Sequence, residues 1–282
     1  MVNGTNKQPL SVYSISHIGY SHLQSGKPCQ DHADGLQTDD RAAITACDGH
    51  GGDLYIRSHL GSRFASEAFL QVFGALDKNM PASPDQLKLA LLCAWNAAVE
   101  RDLSAHPFEE AELAPLDEES RFLLEQNPFL AYGTTLHGVL AWEGHLLCAG
   151  IGDGGIFAVR GERVTPLLQN EDEETVANLT HSLCEEHAGR YLTVDAFDFS
   201  EYDGVLICTD GVLNPYLNLD NFARSFVLPV VAEARRGNFA GIGAFMTRLG
   251  EEIGIGDDVS LALMLKPAAS AEEGEQENED RG

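Results

Sequence analysis

The chain has 282 residues, 44% of them hydrophobic, enough to bury a substantial core in one large domain or two small ones. Its formal charge of -26 argues against a nucleic-acid backbone or an anionic membrane surface as partner, since both demand clustered Lys and Arg. No uncharged apolar run approaches the length of a membrane span, and the amino terminus lacks the apolar stretch of a secretory signal, so a cytoplasmic location is expected.

Residues 1–9 and 267–282 are poor in large apolar side chains and read as unordered, the second as an acidic tail. Residues 10–266 then form one domain. From Leu10 to Ile18, Val12, Ser14 and Ser16 alternate with Tyr13, Ile15 and His17, the period of a strand. Asp39 to Cys47 reads as its neighbour. From Asp53 to Phe73, Leu54, Ile56, Leu60, Phe64, Ala68, Phe69 and Val72 recur at three and four, the stripe of an amphipathic helix. A second helix starts at Ser83-Pro84, with serine as cap and proline in the first turn, and runs through Leu87, Leu91, Trp95 and Ala98. His106 to Pro128 is acidic and proline-bearing, and reads as an irregular or partly helical excursion.

Strands follow at Thr134 to Trp142, His145 to Ile151 and Gly155 to Val159, joined by Glu143-Gly144 and Asp153-Gly154 turns. The run Asn170 to Glu174 reads as a solvated surface. Tyr191 to Ala196 and Val205 to Thr209 are further strands. Asp220 to Glu252, broken at Arg235-Arg236-Gly237-Asn238, gives two helices, and Val259 to Leu265 the last strand. Segregation of strands and helices along the chain points to antiparallel sheets with helices outside rather than a doubly wound parallel sheet.

Six cysteines without C-x-x-C spacing read as buried hydrophobes, and ten histidines without an H-x-x-x-H pair give no zinc signature. The aspartates are more informative. Asp48-Gly49-His50-Gly51-Gly52 follows the apolar run from Ala42 to Cys47, so a carboxylate, a carbonyl and an imidazole can face one cavity. Such a pentad alone is as well explained by a plain turn. Three more aspartates stand at strand edges: Asp153 after Leu146 to Gly152, Asp210 after Val205 to Thr209, and Asp257 before Val259. Four such carboxylates predict an oxygen-rich cluster suited to Mg²⁺ or Mn²⁺.

In order and approximate spacing, Gln30-Asp31, the Asp48 to Gly52 pentad, Gly133-Thr134-Thr135, Gly152-Asp153-Gly154, Thr209-Asp210-Gly211-Val212 and Asp257-Asp258-Val259-Ser260 resemble the bacterial metal-dependent Ser/Thr protein phosphatases of type 2C. The resemblance spans Leu10 to Leu265. It implies an α+β fold, a four-layer αββα sandwich with two central, mainly antiparallel sheets. It also implies that Asp48 bridges two Mn²⁺ or Mg²⁺ ions, with Asp210 and Asp257 on one and the Gly49 carbonyl on the other. Asp153 matches the aspartate of a third, weaker site sharing Asp210. The implied substrate is a phosphoprotein, the product of a bacterial Ser/Thr kinase. Such chemistry needs cations to activate water and neutralise the phosphoryl group, and an acid for the poor alkoxide leaving group, for which His50 is the natural donor.

The chain departs from the family pattern in places. The arginine usually found five residues before the aspartate matched by Asp31 is Gly26 here. Neighbouring Lys27 lacks the bidentate fork, which leaves Arg57 or His22 as substitutes. Gln30 and Asp31 are expected to order metal waters and the turn. Asp258, where asparagine is usual, either adds charge to the cluster or faces solvent. An inactive phosphoprotein-binding module and a hydrolase of small phosphoesters remain as alternatives.

Overall fold

The computed structural model describes residues 10–38, 40–76, 83–168 and 180–267. The amino-terminal stretch 1–9, the Asn170 to Glu174 run and the tail beyond 267 lie outside the described residues.

Ten strands are present in the described chain: β1 (Ser11–His17), β2 (His32–Gln37), β3 (Arg41–Cys47), β4 (Leu136–Trp142), β5 (His145–Ile151), β6 (Gly155–Arg160), β7 (Arg163–Pro166), β8 (Thr193–Asp198), β9 (Gly204–Cys208) and β10 (Val259–Leu265). They form two five-stranded sheets, ordered β1-β10-β9-β6-β7 and β2-β3-β4-β5-β8. Every pairing between these strands is antiparallel.

Side-chain alternation explains why the sheets stack. On β3, Ala42, Ile44 and Ala46 join Val139, Cys148, Ile207 and Met264 in the core between the sheets. The alternate residues Ala43 and Cys47 face outward into a second core under helices. Helices α1 (Tyr20–Ser25), α2 (Ser58–Gly74), α3 (Pro84–Ala105), α4 (Glu110–Leu113) and α5 (Glu118–Gln126) precede β4. Of these, α2 and α3 cover one sheet with Phe64, Phe69, Phe73, Leu91 and Trp95. The short α6 (Ala188–Tyr191) precedes β8, and α7 (Asp210–Leu213), α8 (Leu219–Phe222), α9 (Leu228–Arg235) and α10 (Phe239–Arg248) precede β10. Phe226, Val230, Ile242 and Met246 from the last segments cover the other sheet. The result is the expected four-layer αββα sandwich.

Ser83 caps α3 as expected, in a reciprocal capping box with Gln86. Two expectations need correction. Leu10 to Ile18 and Asp39 to Cys47 are not neighbours: β1 pairs with β10, and β3 pairs with β2 and β4 in the opposite sheet. Strand β2 carries His32, Asp34 and Gly35, so its half-exposed run has little apolar alternation to mark it. The stripe from Asp53 also overran its helix. Residues 53–57 turn tightly, Tyr55 N donating to Gly52 O, and α2 starts at Ser58.

Candidate metal centre

The site lies at one end of the space between the sheets. Asp48 follows β3 in phase with Ala42, Ile44 and Ala46, so its side chain continues the inward-facing row. Its backbone is pinned by the segment entering β4: Thr135 N and Thr134 Oγ1 both donate to Asp48 O at 2.8 Å, while Asp48 N donates to Thr135 Oγ1 at 3.0 Å. Asp153 sits in the turn from β5 to β6, Asp210 opens α7 after β9, and Asp257 precedes β10. Ligand oxygens of Asp48, Asp153 and Asp210 all lie within 4.8 Å of one another. Asp257 flanks them and acts electrostatically on Asp48 and Asp210.

Among the described residues no Lys or Arg side chain pairs with these carboxylates, although His22 eases Asp257, and the carboxyl affinities for protons show the imbalance. Burial, then the charges of Asp31 and Asp210, push Asp48 well above the usual carboxylate range. Burial and Asp258 raise Asp31 to about 8, and burial with Asp153 and Asp257 raises Asp210 to about 6. Burial raises Asp257 as well. Such stacked like charges are tolerable with bound divalent cations or shared protons.

Two further observations fit a hard cation with water ligands. Among the described residues, Gln30 Oε1 is buried without a hydrogen-bond partner, and no backbone hydrogen bond uses the Gly49 carbonyl. All-oxygen donors of this kind suit Mn²⁺ or Mg²⁺. At Gly49 a Cβ would stand 2.5 Å from Gln30 O, so the pentad's first glycine permits the close approach of these two segments.

His50 is held beside the carboxylates by its N–H, which donates to Gly133 O at 3.1 Å, and by Tyr55, whose ring meets it edge-on at 4.8 Å. A Cβ on Gly133 would collide with both rings. Burial lowers the His50 pKa, partly offset by Asp153 and Glu185.

The remaining candidates divide sharply. Gln30 is anchored through Nε2 to Ser58 Oγ at 2.7 Å, and Asp31 Oδ2 accepts from Thr209 Oγ1 at 2.7 Å. Asp258 does not face solvent. It is 2% exposed and accepts from Gly19 N, Gln30 N and, on the same oxygen as Gln30, lies 2.9 Å from His22 Nδ1. His22 is therefore engaged in this clamp. Lys27 Nζ donates to Gly51 O at 3.1 Å and stays at the rim. Arg57 is no substitute for the arginine replaced by Gly26. It points inward, 5% exposed, with Nε and Nη2 on the two Glu112 oxygens at 2.8 Å and Nη1 on Tyr132 Oη, His106 O and Asp102.

Two residues escaped sequence reasoning. Thr180 Oγ1 donates to Asp153 Oδ2 at 2.5 Å, and no local pattern announces that long-range contact. His137 lies on β4 in phase with Val139 and Ala141, so period-two counting would have placed it on the inner face. Burial lowers its pKa to about 4, and its Nδ1 has no partner among the described residues.

Residues 18–238 match the family model described as protein phosphatase 2C. No curated protein sequence is matched. Similar solved structures include the catalytic domain of the serine/threonine phosphatase PstP in complex with two manganese ions, at 18% identity and TM-score 0.56, covering 92% of this chain and 99% of that one. PstP/Ppp of Mycobacterium tuberculosis aligns at 18% identity and TM-score 0.53 over 93% of this chain and 100% of the other. PppA, a regulatory component of the type VI secretion system in Pseudomonas aeruginosa, aligns at 16% identity and TM-score 0.56 over 92% and 99%. At these identities the structures establish the shared fold.

Proposed function

This chain belongs to the protein phosphatase 2C family, and from that premise we propose that Asp48, Asp153, Asp210, Asp257 and the Gly49 carbonyl form its metal centre, with His50 as proton donor. Membership makes the protein a metal-dependent Ser/Thr phosphatase. The assignment of roles is carried by one observation: three aspartates from separate loops, Asp48, Asp153 and Asp210, present oxygens within 4.8 Å of one another.

Mn²⁺ or Mg²⁺, two ions or three, would lower the pKa of a water and neutralise the phosphoryl oxygens. Asp48 on the inner row, Asp153, Asp210, Asp257 and the Gly49 carbonyl would hold these ions. Gln30 and Asp31 orient the surrounding waters, the first through its free Oε1. His50, packed against Tyr55, is the donor for the departing seryl or threonyl oxygen; desolvation favours its neutral form, and the Asp153 carboxylate works against that loss of the proton. Lys27, whose Nζ reaches the Gly51 carbonyl, offers a cation for the substrate phosphate in place of the arginine missing at Gly26. The substrate is a phosphoprotein made by a bacterial Ser/Thr kinase, and the reaction takes place in the cytoplasm. No described helix is long and apolar enough to cross a membrane.

The test is turnover of an aryl phosphate and a phosphoserine peptide with added Mn²⁺, both ceasing on chelation. A folded Asp48→Ala protein that retains the wild-type rate overturns the assignment.

A further inference from the structure

A cavity of about 350 Å³ opens beside the loop that carries His50, with Gln30 and Gly52 in its lining. Its size is at the small end of ligand pockets, which span about 300–1,000 Å³, and suits a side chain better than a whole cofactor. Pro28, Tyr55, Ile56, Pro115 and Leu116 give it apolar walls. Tyr55 is shared with the reactive site, since its ring also packs on His50. Lys27 and Gly52 stand at the junction, and Lys27 Nζ reaches the Gly51 carbonyl.

The outer wall comes from the acidic excursion between α3 and β4. Ala111, Glu112, Pro115 and Leu116 belong to that segment, which the catalytic chemistry does not use. Arg57 fixes it in place through its two-pronged bond to Glu112, while its backbone N–H holds Ala131 O at 2.8 Å. The charged groups at the cavity are thereby paired, Glu112 with Arg57 and Lys27 with Asp53 at 4.0 Å. What the cavity offers a ligand is an apolar patch from Pro28, Tyr55, Ile56, Pro115 and Leu116, edged by the polar side chains of Gln30 and His59.

We propose that this cavity is a specificity subsite that receives an apolar side chain flanking the phosphorylated residue of the protein substrate. The proposal rests on the phosphatase reading and names what that reading leaves open, the sequence around the phosphoserine. Continuity through Tyr55 and Gly52 places the cavity next to the bond being broken, so a neighbouring residue of the same peptide can enter it while the phosphate meets the metal centre.

The experiment compares phosphoserine peptides that differ by Leu, Ala or Asp at single flanking positions. With Mn²⁺, kcat/KM for Leu should exceed that for Ala by about tenfold at one flank, the scale of a few buried methylenes. Ala111→Trp and Pro115→Glu, both at exposed positions, should each abolish that preference and leave aryl-phosphate turnover within about twofold. Fluorescence anisotropy of the same peptides on the Asp48→Asn protein reads the preference without turnover. A preference that survives both substitutions, or that is missing from both readouts in the unsubstituted cavity, overturns the proposal. Peptide preference that both substitutions abolish, in a protein that hydrolyses neither substrate, would retain the subsite and sink the phosphatase reading instead.

Discussion

Two charge clusters in this molecule, one closed around a buried arginine and one open to solvent at its edge, are built on opposite plans. Around Arg57 the protein supplies both signs: the guanidinium meets Glu112, Asp102 and Tyr132 and lies 4.7 Å over the Phe108 ring. Hydrogen bonds from Arg57 lower the Glu112 pKa against the effect of burial. Burial opposes ionisation of Asp102, yet Tyr132, His106 and Arg57 together bring its carboxyl below its ordinary value. At the other cluster the protein supplies one sign, and Asp31, Asp48, Asp210 and Asp257 all rise. Self-sufficiency marks the first cluster as structural. The deficit at the second marks a place where ligands from solution complete the molecule.

Substitutions break this comparison at different points. The largest effect is expected for Asp48→Ala, which should lower Mn²⁺-dependent turnover by about 10³-fold or more, in line with several kcal/mol of lost cation stabilisation. The same change should raise the melting temperature of the metal-free protein, because it removes one of the repelling carboxylates. A fall instead would show that Asp48 holds the fold. His50→Ala comes next, slowing phosphoserine hydrolysis by about 10²-fold and an activated aryl ester much less. Equal losses on both substrates would remove His50 from the role of acid.

Arg57→Ala should cost about 2–3 kcal/mol in urea denaturation, below the usual figure for a buried pair because Glu112 is partly exposed. With aryl phosphate its effect on kcat should be small. A large loss there would restore Arg57 as a phosphate ligand.

The smallest effect concerns pH. Burial and the Asp258 charge push Asp31 up to about 8 in the folded protein, against about 4 for an unfolded aspartate. A raised folded value contributes stability that is complete below about pH 4 and is lost as pH climbs through about 8. Metal-free protein should therefore melt at progressively lower temperature from pH 5 to pH 8, and Mn²⁺ should stabilise it more at pH 8 than at pH 5. Scanning calorimetry at both values checks this, and a Mn²⁺ shift larger at pH 5 would contradict it.

The two clusters also differ in how well the sequence announces them. Asp48, Asp153, Asp210 and Asp257 each stand at the edge of an apolar run, and a glycine beside each of them marks the turn, so local pattern sufficed to expect the group. The Arg57 network joins residues from 57 to 132, none of which sits in a recognisable motif, so Arg57 looked like a spare cation. Asp258 was ambiguous for the same reason. Its partners Gly19, His22 and Gln30 lie more than two hundred positions away, and only the pairing of β1 with β10 brings them near. The apolar strands β4, β5, β6, β9 and β10 were legible within a residue or two. The mixed, half-exposed β2 was not, and its absence led β1 and β3 to be read as adjacent.

The clamp formed by Asp258 ties the completion of the metal centre to the order in which the polypeptide leaves the ribosome. Asp257 and Asp258 immediately precede β10, which inserts between β1 and β9, and the Asp258 carboxylate seats the loops carrying Gly19 and Gln30. A nascent chain that stops before Asp258 lacks the seat for the earlier loops. Among the described strands, the last to be synthesised is thus the one that joins β1 to β9 and locks the earliest loops in place.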